Sequence, residues 1–175
     1  MKPLRHVARA VLLASLAFVA RADHPGRPAE RFRANLVGLE ETPAIFTAGS
    51  GVFTMKVNDD DTQIDFELSY ENLSGPPAVA HVHFGQRGVA GGVSFFFCGG
   101  GGKPACPATT SGTVAGSVVA ADVVGPTAQG IAAGDLAAIL QMIRAGYGYA
   151  NMHTAAHPAG EIRGQIRTHS HSHHD

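Results

Sequence analysis

The residues in this chain with the clearest chemical potential are two histidines separated by one residue, in Ala80-His81-Val82-His83-Phe84-Gly85. On a β-strand, residues i and i+2 point to the same face, about 7 Å apart at the backbone. Two imidazoles so placed can converge on one metal ion, while Val82 and Phe84 point the other way and anchor the strand in a core. A third imidazole is available at His153, in Asn151-Met152-His153-Thr154, and a fourth at His157, in the turn Ala155-Ala156-His157-Pro158. Neutral imidazoles suit copper and zinc equally well. The expectation is a structured site of His81, His83 and His153, with His157 in assistance. Met152 would suit Cu(I) as an auxiliary soft ligand, but its apolar neighbours on the strand favour a core position. The competing reading is that these histidines only hydrogen-bond to backbone or to a carboxylate.

Beyond these strands the chain ends in Thr168-His169-Ser170-His171-Ser172-His173-His174-Asp175. The density of His169, His171, His173 and His174 makes this tract an auxiliary, low-specificity metal-capturing segment. The two cysteines, Cys98 and Cys106, enclose a Gly-rich loop and are expected to form a disulfide in an oxidising compartment. Glu40-Glu41 reads as solvated acid near a strand end, and Glu161 and Arg163 as the polar face of a half-exposed strand. No Ser-x-Gly elbow, P-loop or HExxH is present, so no catalytic residues are assigned and no enzyme activity is claimed.

The elements that must position these groups are short. Phe32 to Leu39, Gly51 to Val57, Gln63 to Tyr70, Val79 to Phe84, Gly112 to Val124, Tyr147 to His153 and Glu161 to Arg167 read as strands. Ile64, Phe66, Leu68 and Tyr70 alternate with Asp65, Glu67 and Ser69, and Asn58 to Asp61 is a turn, so Val52 to Tyr70 reads as a hairpin. Leu136, Ile139, Leu140 and Ile143 recur at helical spacing over Asp135 to Ala145, with Gly146 where a left-handed cap belongs. Phe95, Phe96 and Phe97 cannot all face one side of a strand. The fold expected is all-β, an antiparallel β-sandwich or Greek-key barrel with one short helix before the penultimate strand.

Export is expected from the N-terminus. Lys2, Arg5, His6 and Arg9 precede the apolar run Ala10 to Val19, which is too short to span a bilayer, and Ala20-Arg21-Ala22 is a cleavage pattern. Residues 1–22 are therefore read as a signal peptide, 23–31 as a disordered lead-in, 32–167 as the β domain and 168–175 as the His-rich tail. The signal holds four of the 13 Lys and Arg residues and no acids, which leaves 9 basic against 14 acidic residues, a net charge of −5. Such a balance argues against nucleic acid as a partner. No later segment is apolar enough to span a membrane as a helix. A periplasmic or secreted location tilts the metal expectation toward copper, with zinc as the alternative.

Three stretches carry a family resemblance. They are Phe32 to Pro43 with Thr47 to Gly51, then Leu68 to Leu73 with Ala80 to Gly85, Gly88 and Gly91, and finally Ile143 to Gly146, Tyr149 to Thr154 and His157 to Gln165. Together they resemble the CHRD domain, named for its occurrence in chordin, and the chain looks like an exported bacterial-type member with a His-rich tail. The resemblance implies a β-sandwich or barrel in an exported protein. It also makes a protein-interaction module with structural histidines the alternative to metal storage, delivery or homeostasis, because similar domains in chordin sit in a growth-factor-binding protein. The His-x-His-x-x-Gly piece is similar to the copper strand of Cu/Zn superoxide dismutases, although the long metal-binding loop and bridging-histidine spacing are absent. A dismutase-like copper redox enzyme is accordingly the third reading. A protein partner or a homodimer is expected if edge strands and the Phe95 to Phe97 run need covering.

Overall fold

The structure is a computed structural model and describes residues 29–169. The expected signal peptide, the lead-in up to residue 28, and His171, His173 and His174 lie outside the described residues. Among the described residues are nine strands: β1 (Arg31–Val37), β2 (Ser50–Val57), β3 (Gln63–Glu71), β4 (Pro77–Phe84), β5 (Gly92–Cys98), β6 (Gly112–Val119), β7 (Gly148–Thr154), β8 (Ile162–Gln165) and β9 (Arg167–Thr168). One α-helix, α1 (Leu136–Arg144), lies between β6 and β7.

The pairing is antiparallel throughout, in the order β5-β4-β7-β8-β1-β2-β3-β6, with β9 paired to β1. The edge strands β5 and β6 approach one another, so the sheet curls into a nearly closed barrel. That is the expected class. Several elements differ from expectation: the strands expected to run to Leu39 and Val124 end at Val37 and Val119, each giving way to a 3-10 turn. The Gly-rich stretch contains the full strand β5, which glycine content hides from a propensity reading. The last expected strand is interrupted at Ile166, whose side chain is wholly buried, leaving β8 and β9 as separate pieces.

The alternation in β3 does what its pattern requires: Ile64, Phe66, Leu68 and Tyr70 are buried while Asp65 and Glu67 are exposed. The turn before it closes through Asn58, whose Oδ1 accepts from the backbone N–H of Thr62 and Gln63, both at 2.9 Å. Phe95 and Phe97 enter the core beside Phe53 and Phe66, while Phe96 faces the other side. The aromatic run is thus covered within the chain. In α1, Leu136, Ile139, Leu140, Met142 and Ile143 are buried. Asp135 caps its start by accepting from the N–H of Ala138 at 2.9 Å. Gly146 follows its last turn at φ +80°, the left-handed geometry that only glycine adopts readily.

The domain's ends are tied in. Glu30, inside the expected lead-in, pairs with Arg144 at 2.6 Å, and Arg144 also reaches Asp61. Cys98 and Cys106 form a disulfide, with their Cα atoms 4.9 Å apart. The loop it closes is fastened to β6 by Lys103, whose Nζ donates to the Ser117 carbonyl and pairs with Asp122.

Candidate metal centre

The site lies on the outer wall of the barrel. Ala80 and Val82 of β4 and Ala150 and Met152 of β7 point inward and are fully buried. The residues between them point outward: His81 and His83 from β4, and Tyr149, Asn151 and His153 from β7. In the register His81 sits opposite Asn151, and Val79 opposite His153, so His153 lies diagonally across from His81. That diagonal is within reach of large side chains. The His81 ring is 4.4 Å from that of His83 and 4.7 Å from that of His153, centroid to centroid. One ring nitrogen from each of the three lies within 4.8 Å of the others.

Which nitrogen is free follows from the hydrogen bonds. His83 Nδ1 is 2.8 Å from the Gly91 carbonyl, and His153 Nδ1 is 3.0 Å from the Pro158 carbonyl. A carbonyl oxygen only accepts, so both Nδ1 atoms carry the proton and both Nε2 atoms carry the lone pair. Those two Nε2 atoms and the Nδ1 of His81 are all buried and have no hydrogen-bond partner. Three orphaned nitrogens on neighbouring strands are unusual, because buried polar atoms are nearly always paired. Fixing one ring nitrogen by a carbonyl while the other is left free is how histidine ligands to metals are oriented.

The rings are held on further sides. Tyr149 stacks on His83 with centroids 4.7 Å apart and planes at 7°. The guanidinium of Arg163 lies over the Tyr149 ring, 3.5 Å from its centroid. Arg163, only 3% exposed, donates to Thr42 Oγ1 at 3.1 Å and to the carbonyls of Gln86 at 3.1 Å and Val89 at 2.9 Å. It therefore ties the 85–91 loop, which supplies the Gly91 carbonyl, to the wall beneath. Tyr149 reinforces the loop by accepting from the Gly91 N–H at 3.0 Å. Phe96 closes the β5 side, its ring edge-on to His81 at 5.2 Å. Phe96 is itself packed on the disulfide loop: a Cβ on Gly100 or Gly101 would stand 2.5 or 2.4 Å from its ring.

Electrostatics keep the cluster neutral. Burial pushes the His81 imidazole down to about 2, helped by the nearby His83 and His153. Burial likewise takes His83 down to about 4, against the support of the Gly91 carbonyl, and lowers His153. Glu41, from the loop after β1, accepts a hydrogen bond from Asn151 Nδ2. Burial raises its carboxyl to about 7, although Arg163 and Asn151 oppose the rise. Glu41 is therefore not the solvated acid that its position in the sequence suggests.

Glu161 and Arg163 are not the polar face of a half-exposed strand either, since they are 0% and 3% exposed. Loops 38–49 and 85–91 cover that face, and no local pattern announces such cover. Glu161 accepts from Thr47 Oγ1, Ser74 N–H, Ser74 Oγ and Thr154 Oγ1, at 2.6 to 2.8 Å. Burial alone would raise this carboxyl, but the hydrogen bonds from Thr154, Ser74 and Thr47 outweigh it and hold the pKa below its ordinary value.

Of the other sequence candidates, Met152 lies in the core on the face opposite His153. His157 occupies the turn after β7, its N–H directed at Thr154 Oγ1, and it is not part of the cluster. His169 is exposed at the end of β9, where its N–H donates to the Arg31 carbonyl. Sequence reasoning missed Tyr149, Asn151, Arg163 and Glu41. Tyr149 and Asn151 share the strand face of His153 at i−4 and i−2, a signal that was there to read.

The profile of the CHRD domain matches residues 32–166, most of the chain. This protein belongs to the CHRD domain family. Neither the curated proteins nor the solved structures contain a match. CHRD domains occur in extracellular and secreted proteins, and no described helix is long and apolar enough to cross a membrane. The histidine cluster falls inside the matched region, on β4 and β7.

Proposed function

We propose that this CHRD domain is an exported metal-binding protein that takes copper, with zinc as the competing ion, through His81, His83 and His153. It would serve metal storage, delivery or homeostasis in the periplasm or outside the cell. One observation carries the reading: three histidine rings bring one nitrogen each within 4.8 Å of the others, and each ring has a buried nitrogen without a hydrogen-bond partner. A metal–nitrogen bond of about 2.0 Å places trigonal donors about 3.5 Å apart, so closure on an ion needs only a small contraction. The neutral state of the rings suits binding, since no proton must leave them at neutral pH.

The test is calorimetric titration with copper and zinc of the chain carrying Ala at His169, His171, His173 and His174. One tight site, lost on His83→Ala, is the expected result. Unchanged stoichiometry after His81→Ala with His83→Ala would refute the reading.

A second reading, an interaction module, draws on one observation. Phe46 and Leu39, on the 38–49 segment that covers β8, are 98% and 70% exposed. It predicts that Phe46→Ser abolishes capture of a protein partner and leaves metal titration untouched. The copper redox reading needs an open coordination position, and the burial of all three nitrogens favours holding an ion over turning over a substrate.

A further inference from the structure

The reading of His81, His83 and His153 as a metal site leaves open which ion it is built for, and the inference below rests on that reading. We infer that the site is built for monovalent copper, Cu(I), in a three-coordinate, water-free setting, and discriminates against Zn(II) and Cu(II).

Donor number comes first. The group of His, Cys, Asp and Glu side chains that meets here contains the three histidines and no fourth member among the described residues. Zn(II) in proteins takes four ligands, with water filling any position that the chain leaves open. Cu(II) prefers a tetragonal set of four or more. A d10 monocation is content with three nitrogens. Water is poorly placed to fill a gap, because His81 Nδ1, His83 Nε2 and His153 Nε2 each have less than 1 Å² of exposed surface. The Phe96 ring edge stands against His81, backed by the Gly100–Gly101 backbone. Met152, the soft donor nearest in sequence, is on the core side of β7 and cannot supply a fourth bond.

Charge points the same way. The group that meets here holds no Asp, Glu or Cys among the described residues, so no anionic donor offsets the ion. The guanidinium of Arg163 lies one ring away, stacked on the Tyr149 that supports His83. Glu41 accepts a hydrogen bond from Asn151 Nδ2 and is not part of the group that meets here. Each unit of positive charge brought into such a buried, uncompensated setting costs more than the last. A monocation meets less than half the opposition of a dication.

The experiment uses the full chain with Ala at His169, His171, His173 and His174, under nitrogen with ascorbate, which leaves the disulfide intact. Cu(I) is supplied as its bicinchoninate complex and competed with the protein. Zn(II), and Cu(II) without ascorbate, are titrated against chelators of known affinity. The expected result is one Cu(I) per chain, bound about a hundredfold or more tighter than either dication. X-ray absorption on the Cu(I) form should show three nitrogen neighbours and no fourth ligand. His83→Ala should abolish the tight Cu(I) step, and the absorption spectrum of the unmutated site keeps the test decisive if that variant does not fold. Zn(II) or Cu(II) bound as tightly as Cu(I), or a fourth light-atom ligand on Cu(I), overturns the inference and leaves the metal reading standing. No binding of any of the three ions above the His83→Ala background overturns both.

Discussion

Acidification should destabilise the metal-free domain, and the size and sign of the effect follow from two opposed sets of groups. His81 and His83 have folded pKa values of about 2 and about 4, far below the ordinary imidazole value of 6.5. Their stabilisation is present above pH 6.5 and is lost as pH falls, because the unfolded chain takes up protons that the folded chain refuses. Between pH 7 and pH 5 each contributes a loss of about 2 kcal/mol, about 4 kcal/mol together. The lowered pKa of His153 adds in the same direction. Glu41 opposes them. Its folded pKa is raised to about 7, so it binds a proton on the folded side first and gains stability as pH falls. Over the same interval that gain is about 2 kcal/mol. The net expectation for the protein is a loss of about 2 kcal/mol between pH 7 and pH 5. Glu41→Gln removes the opposing term, so its loss should double to about 4 kcal/mol. The assay is urea unfolding at both pH values with a chelator present, followed by circular dichroism. A pH dependence in Glu41→Gln no steeper than in the wild type, or a domain equally stable at both pH values, refutes the electrostatic account of the cluster.

Three other outcomes follow from the geometry. Arg163→Met should lower metal affinity about tenfold and shift the His83 ring nitrogen resonances in NMR, since Arg163 holds both the loop and the tyrosine that orient that ring. Glu161→Gln places an amide donor among the donors of Thr47, Ser74 and Thr154, and should cost about 2–4 kcal/mol in thermal or urea unfolding. Gly101→Ala forces a side chain to φ +56° and against the Phe96 ring, so unfolding measurements should show a loss of about 1–3 kcal/mol and metal titration a weakened site.

The sequence by itself determined the periodic parts of this protein. Alternation in β3, the i, i+3, i+4, i+7 pattern of α1 and its Gly146 cap are local signals, because strand and helix periods are properties of neighbouring residues. The His81–His83 pair was legible for the same reason: a period of 2 places both on one face. The pairing of Cys98 with Cys106 followed from there being two cysteines and a flexible loop. The tertiary structure alone decided the rest. Whether His153 or His157 joins the pair depends on the β4–β7 register, which brings His153 diagonally to His81 and leaves His157 in a turn. The outer face of β8 has the alternation of a solvated strand, yet loops 38–49 and 85–91 fold over it and bury Arg163, while Glu161 just before it is buried against Thr47, Ser74 and Thr154. Cover by a distant loop leaves no mark in local periodicity, because it is set by where the chain goes tens of residues away. The β4–β7 register likewise brings His81, His83 and His153 together, each with one buried ring nitrogen that has no hydrogen-bond partner.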